Sequence, residues 1–258
     1  LVFEPNDDLI AAGRTRITAS LDRAAAKGKL SEADRDAAVA RLAFTTSLDD
    51  MADRQLTIEA IVEDENVKAK VFAELDRVIT DPDAVLASNT SSIPIMKIAA
   101  ATQNPQRVLG LHFFNPVPVL PLVEVIPALT TDEDVVEVAQ TYATEKLGKQ
   151  AIRAKDRSGF IVNALLFPYL NDAVTMLASQ YATVDEIDLA MKAGCGYPMG
   201  PLALSDLIGR AVPKRSTTQP APKCLTPSRP RAPPSCAPTS TSTPPASTAT
   251  AVPSTRSI

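Results

Sequence analysis

The stretch LTIEAIVEDENVKAKVFAELDRVITDPDAVLA, residues 56–87, decides the fold class. It opens on Leu56–Ile61, a short β-branched run that reads as a strand. Glu63–Val78 follows with helical spacing, placing Val67, Val71, Leu75 and Val78 on one side. Ala84–Ala87 is apolar again and reads as a second strand. Strands alternating with helices of this length indicate an α/β domain with a mostly parallel sheet.

The alternation extends in both directions. Leu1-Val2-Phe3-Glu4 reads as the end of a buried strand, and Asp7–Lys27 as a helix with Leu9, Ile10, Ile17 and Leu21 along one face. Ser31 with Asp34 marks a helix start, continued by Val39 and Leu42. Beyond Ala87 the sequence predicts a short helix over Ile93–Ala101 and strands over Arg107–Phe114, Leu122–Ile126 and Gln150–Ala154. Between the last two, a Thr131/Asp134 capping pair opens a helix that ends near Gly148. After Lys155 the pattern becomes helical throughout: Gly159–Ala178, Val184–Ala193 behind a Thr183/Glu186 capping box, and Pro201–Ile208. A domain boundary is therefore expected near Asp156, with an α/β domain over residues 1–155 and a partial all-α domain over 156–210.

From about Ala211 the character changes again. Half of the chain's 22 prolines lie there, with Ser, Thr and Ala, and large apolar residues almost vanish. Such a segment cannot bury enough surface to offset its ordering entropy, so residues 211–258 are expected to be a disordered tail. That tail has no acidic residue, so the net charge of −4 understates how acidic the preceding body is. An acidic body argues against broad nucleic-acid binding. Cys195, Cys224 and Cys236 are too scattered for a disulfide framework or a C-x-x-C metal pattern, and a reducing cytoplasm is the default location. The most apolar stretch, Phe160 to Ala178, contains Asn163, Pro168, Asn171 and Asp172 and reads as a core helix rather than a membrane span.

The chain has a single histidine, His112, in Gly110-Leu111-His112-Phe113-Phe114-Asn115-Pro116. An imidazole at a strand end can shuttle protons near neutrality, although a lone histidine is more often a satisfied core group. Glu124 tilts that balance. It is the one charge in the apolar run Leu120–Ile126, where a carboxylate is costly without a partner, and His112 on a neighbouring strand is a natural one. Ser88-Asn89-Thr90-Ser91-Ser92 is a polar cluster at the carboxyl end of a strand, where open α/β sheets bind ligands. One of its serines could instead simply cap the helix before Ile93. Asn163 lies in an apolar helix, where a buried amide needs a partner.

Together these segments resemble the 3-hydroxyacyl-CoA dehydrogenases, and among them the bacterial 3-hydroxybutyryl-CoA dehydrogenases. The resemblance rests on Ser88-Asn89-Thr90-Ser91-Ser92, Leu111–Pro118 and Leu122-Val123-Glu124-Val125. Asp156-Arg157-Ser158-Gly159-Phe160-Ile161-Val162-Asn163 and Gly196-Tyr197-Pro198-Met199-Gly200-Pro201 extend it, from Leu1 to about Gly209. It implies a Rossmann-like domain and NAD-dependent oxidation of (3S)-3-hydroxyacyl-CoA to 3-ketoacyl-CoA in fatty-acid or butyrate metabolism. His112 would be the general base, Glu124 its partner, and Ser91 and Asn163 hydrogen-bond donors near the reacting oxygen. Asn89 and Asn115 would border the nicotinamide, Glu63 and Lys68 would contact the cofactor, and Glu4 would bind the adenosine ribose, favouring NAD over NADP. The implied partners are an acyl-CoA and a second subunit in a homodimer, with neither nucleic acid nor membrane.

Two departures from the family accompany the resemblance. The family begins with a strand and a Gly-x-Gly-x-x-Gly turn that cradles the pyrophosphate, and no such turn occurs in these 258 residues. The first segment is therefore expected to be truncated, which makes a catalytically impaired remnant one alternative reading; a related non-CoA β-hydroxyacid dehydrogenase is another, against which the five motifs argue. After Leu204-Ser205-Asp206-Leu207-Ile208-Gly209, the Pro- and Arg-rich run looks like a shifted reading frame beginning near Arg210, where the family continues with further helices.

Overall fold

The computed structural model describes residues 1–211, with side chains through Gly209; the tail expected over 211–258 lies, but for Ala211, outside the described residues. Leu1–Gly209 forms one unit. Its strands are β1 (Val2–Phe3), β2 (Phe44–Thr45), β3 (Leu56–Glu59), β4 (Val85–Ser88), β5 (Val108–Phe113), β6 (Leu122–Pro127) and β7 (Gln150–Arg153). Its helices are α1 (Asp7–Ala26), α2 (Glu32–Ala40), α3 (Glu65–Val78), α4 (Ile95–Ala99), α5 (Glu133–Thr141), α6 (Val162–Ala178), α7 (Val184–Leu189) and α8 (Pro201–Ala211). After β7 the described elements are helices alone.

The fold is α/β with a mostly parallel sheet, as residues 56–87 imply. β3 to β7 form a five-stranded sheet in sequence order, parallel throughout except for the antiparallel β5/β6 pair. β1 and β2 pair with each other, in parallel, as a separate two-stranded sheet. The expectation of a buried strand at the amino terminus is corrected here: Val2 and Phe3 are only half-buried. β2 has just two residues, too few for an alternation to register.

Strand alternation divides the core. Val85, Ala87, Leu109, Leu111, Val123 and Val125 meet α5 through Val135, Val136 and Ala139. The opposite face presents Leu86, Val108 and Ile126 to Phe72 and Leu75 of α3 and to Ile95, Ile98 and Ala99 of α4. Strand alternation puts Gly110 on that second face, where the packing is close. A Cβ there would stand 2.8 Å from Ile95 Cδ1 and 3.1 Å from Ile126 Cβ.

Three local expectations are also corrected. α3 turns Lys68, Phe72, Leu75, Asp76 and Val78 inward, whereas Val67 is 40 % exposed. Buried ion pairs put charged residues on the core face, which a count of apolar spacing rejects. Thr131 does not cap α5; its hydroxyl donates to Val108 O and accepts from Ala128 N, tying the loop to β5. α6 begins at Val162 rather than Gly159, since Gly159 (φ 78°) and Phe160 (φ 47°) occupy the left-handed region. The Thr183/Glu186 capping box forms as expected. No helix among the described residues is long and apolar enough to cross a membrane.

Candidate active site

Register brings the site together. In the antiparallel β5/β6 pair His112 lies directly opposite Glu124, and directly opposed residues share a face. His112 Nδ1 stands 2.8 Å from Glu124 Oε2, with His112 3 % and Glu124 0 % exposed. Glu124 Oε1 accepts from Ile161 N and Val162 N, each at 3.0 Å, so one carboxylate holds the imidazole and caps α6. The left-handed pair Gly159 and Phe160 aims those two N–H groups at it. Burial pushes the Glu124 carboxyl up. Hydrogen bonds from His112, Val162 N and Ile161 N more than offset that and hold it below the ordinary glutamate range.

An ionised carboxylate only accepts, so in the neutral imidazole Nδ1 carries the proton and Nε2 the lone pair. Nε2 faces outward to Ser91 Oγ at 3.1 Å. Phe114 and Phe160 flank the imidazole, with ring centroids 4.6 and 5.4 Å away. Ser91, His112 and Glu124 thus form a line from an exposed hydroxyl to a buried carboxylate. Such a line lets Nε2 take a proton from an oxygen beside Ser91 while Glu124 stabilises the imidazolium.

Ser91 is free for this because α4 is capped from elsewhere. Ile95 N and Met96 N donate to the two oxygens of Asp156 at 2.8 Å each, so no serine serves as the cap. Asn89 is half-buried, and its Oδ1 accepts from Phe113 N at 2.9 Å, joining the end of β4 to the end of β5. Asn163 falls in the first turn of α6, next to the two residues that donate to Glu124, and its amide makes no hydrogen bond among the described residues. Asn115 is exposed just past β5.

Glu63 and Lys68 belong to a network that the sequence left unread. Glu63 Oε1 accepts from Thr90 Oγ1 at 2.6 Å and from Ser91 N, Ser92 N and Ser92 Oγ at 3.0 Å each. Burial raises the Glu63 carboxyl, and these bonds together with the Lys68 ammonium bring it below the ordinary range. Lys68 is 1 % exposed; its Nζ lies 2.6 Å from Glu59 Oε1 and 3.4 Å from Glu63 Oε2. Glu59 Oε2 accepts from Ser88 Oγ at 2.7 Å. The signal for Glu59 is the one that exposed Glu124, a lone charge inside the β-branched run Leu56–Ile61.

Glu4 follows β1 at its carboxyl end, half-buried, and among the described residues no hydrogen bond or ion pair joins it to the His112 cluster. Its carboxylate accepts no hydrogen bond among the described residues, and it lies over the buried Gly13, where a Cβ would stand 3.9 Å from Oε1. A carboxylate with both oxygens available at a strand's carboxyl end fits a ligand that offers a pair of hydroxyls.

Comparison with known proteins gives the same direction. Residues 1–157 match the family model of the 3-hydroxyacyl-CoA dehydrogenase NAD binding domain, and residues 159–237 that of the C-terminal domain. A 3-hydroxybutyryl-CoA dehydrogenase of Mycobacterium tuberculosis is 63 % identical over 208 residues, covering 81 % of this chain and 73 % of that protein. The crystal structure of M. tuberculosis FadB2 superposes with a TM-score of 0.79 at 63 % identity, over 80 % of this chain and 73 % of that one. The (S)-3-hydroxybutyryl-CoA dehydrogenase PaaH1 of Ralstonia eutropha does so with a TM-score of 0.76 at 41 % identity, over 79 % and 71 %.

Proposed function

Since the chain belongs to the 3-hydroxyacyl-CoA dehydrogenase family, we propose that it interconverts (3S)-3-hydroxyacyl-CoA and 3-ketoacyl-CoA with NAD, acting on 3-hydroxybutyryl-CoA. The observation that carries this reading is the line Ser91 Oγ, His112 Nε2, His112 Nδ1, Glu124 Oε2, with contacts of 3.1 and 2.8 Å. In the oxidative direction His112 Nε2 takes the proton of the 3-hydroxyl, and Glu124 stabilises the imidazolium that results. In the reductive direction the imidazolium returns that proton to the 3-keto oxygen. Ser91, and Asn163 from the first turn of α6, orient the same oxygen.

NAD, when bound, supplies the two-electron acceptor. Glu4 would hold its ribose hydroxyls, Asn89 and Asn115 would border the nicotinamide, and Glu63, between β3 and α3, would contact the cofactor beside the Ser91 loop. Lys68, at 1 % exposure, supports Glu63 from behind. A cytoplasmic location, a homodimer and an acyl-CoA partner belong to the same proposal.

The test is NADH oxidation with acetoacetyl-CoA by the full chain and by His112→Gln. Removal of a general acid–base group is expected to cost about 10²- to 10⁴-fold in turnover, with the CoA substrate bound nearly as before. Turnover by the variant at the native rate would overturn His112 as the base. Failure of the native chain to turn over although it binds both reactants would overturn the activity.

A further inference from the structure

The buried side of the Ser88–Ser92 loop carries more chemistry than holding the loop requires. Two carboxylates, Glu59 and Glu63, share one ammonium, Lys68, beneath it; Glu59 is 5 % exposed and Lys68 1 %. Both oxygens of Glu59 are engaged, one of them by the loop itself. Its Oε1 takes Lys68 Nζ and Ile61 N, both at 2.6 Å, and its Oε2 takes Ser88 Oγ at 2.7 Å. Ser88 Oγ in turn accepts from Thr90 N at 3.2 Å. Thr90 Oγ1 donates to Glu63 Oε1 and accepts from Ile93 N at 3.0 Å. Glu63 holds Ser91 N, and Ser91 Oγ touches His112 Nε2.

We propose that Glu59 is a positioning residue for the acid–base centre: through Lys68 and Glu63 on one side and Ser88 and Thr90 on the other, it fixes where Ser91 stands against His112. This rests on the reading of His112 as the base. The reasoning is electrostatic. A buried ammonium between two carboxylates is divided between them, here at 2.6 and 3.4 Å. If Glu59 loses its charge, Lys68 is left with Glu63 alone as a charged partner and draws its carboxylate inward. Glu63 Oε1 carries four of the loop's hydrogen bonds, so Ser91 moves with it.

The single histidine of the chain makes a test that needs no turnover, because every imidazole resonance belongs to His112. Ring ¹⁵N and ¹³C shifts are compared in the full-length native chain, Ser91→Ala, Glu59→Gln and the double variant Glu59→Gln/Lys68→Met. Ser91→Ala removes the contact on Nε2 outright and defines a direction of shift. Glu59→Gln is expected to move the His112 signals along that direction, and the double variant is expected to bring them back toward their native positions, because no ammonium is then left to draw Glu63 inward. A role confined to stability predicts that every folded variant retains the native His112 signals. That outcome, with Ser91→Ala displaced, overturns the proposal alone. His112 signals unmoved by Ser91→Ala overturn the Ser91–His112 contact, and the site reading with it. Where the Glu59 variants do not fold, Ser88→Ala carries the test, since it removes only a hydroxyl. It is expected to give a smaller shift in the same direction, and a native signal there overturns the proposal too.

Discussion

Replacing Glu124 by glutamine separates the two jobs of one buried carboxylate. The amide oxygen can still accept from Ile161 N and Val162 N, so the start of α6 stays capped. Its NH₂, however, is a donor aimed at His112 Nδ1, 2.8 Å away in the native protein. To meet a donor, Nδ1 must give up its proton and Nε2 must carry one, which is the wrong tautomer for a base. A hydrogen bond to a charged group contributes about 1.5–3 kcal/mol, or one to two powers of ten in rate. The tautomer penalty adds to this, so Glu124→Gln is expected to lose about 10²- to 10⁴-fold in turnover while costing about 1 kcal/mol of stability. Glu124→Ala also strips the α6 cap and leaves two part-buried N–H groups unpaired, for about 2–5 kcal/mol. Urea unfolding and acetoacetyl-CoA-dependent NADH oxidation read the two effects separately. Glutamine as destabilising as alanine, or glutamine with native turnover, would refute the argument. The pH dependence adds a sign. The Glu124 carboxyl lies below its unfolded value in the folded protein, so its stabilisation is complete above about pH 4.3 and is lost as pH falls through the folded value. The stability gap between the native chain and Glu124→Gln should therefore close on acidification below about pH 4.3.

Three further perturbations test other buried polar contacts and turns of the same fold. Arg107 is 2 % exposed and binds Asp76 Oδ1 at 2.7 Å and three backbone carbonyls, Asp76 O, Ile79 O and Asp81 O, so Arg107→Leu is expected to strand a buried carboxylate at a cost of about 3–5 kcal/mol, read by urea unfolding. Asp156→Ala removes the acceptor for two amides at the start of α4; about 1 kcal/mol of local stability should go, and hydrogen exchange at Ile95 and Met96 should quicken roughly fivefold relative to β5. Gly159→Ala puts a Cβ at φ 78° and 3.0 Å from Ala164 N, so it should cost about 1–3 kcal/mol and slow turnover as Ile161 N and Val162 N leave Glu124; native stability would show that the turn relaxes freely.

Much of the fold is legible because its strands and helices obey simple periods. The apolar runs at 84–87 and 122–126 are buried strands and that at 56–61 is a partly exposed one, and each lies within a residue or two of its expected bounds. Failures occur where a tertiary contact overrides a local pattern. α3 shows this best. Val67 and Val71 suggest one core stripe, yet Lys68, Phe72 and Asp76, spaced by four, face inward. The structure buries Lys68 against Glu59 and Asp76 against Arg107, two pairs formed across 9 and 31 positions of sequence. Spacing cannot reveal such pairs, because each member looks like a solvated residue until its partner is in place.

The same physics explains which parts of the site could be read. Glu124 was accessible because the charge interrupts an apolar strand and the only candidate imidazole lies on the next strand, so cost and remedy are both visible. Glu59 interrupts β3 in the same way, but its remedy lies on α3, where apolar counting turns Lys68 toward solvent. Reading the two ends together reverses that. A carboxylate that must be buried in β3 requires a cation from the element packed over the strand's end, and Lys68, nine residues on, is within reach. Placing Lys68 inward rotates the expected stripe of α3 to include Phe72 and Asp76, and Asp76 then demands a buried cation of its own, which Arg107 supplies. Lone charges in apolar strands therefore do more than nominate catalytic groups. Followed to their partners, they orient the neighbouring helix and, through Glu63, lead from Glu59 back to the hydroxyl that meets His112.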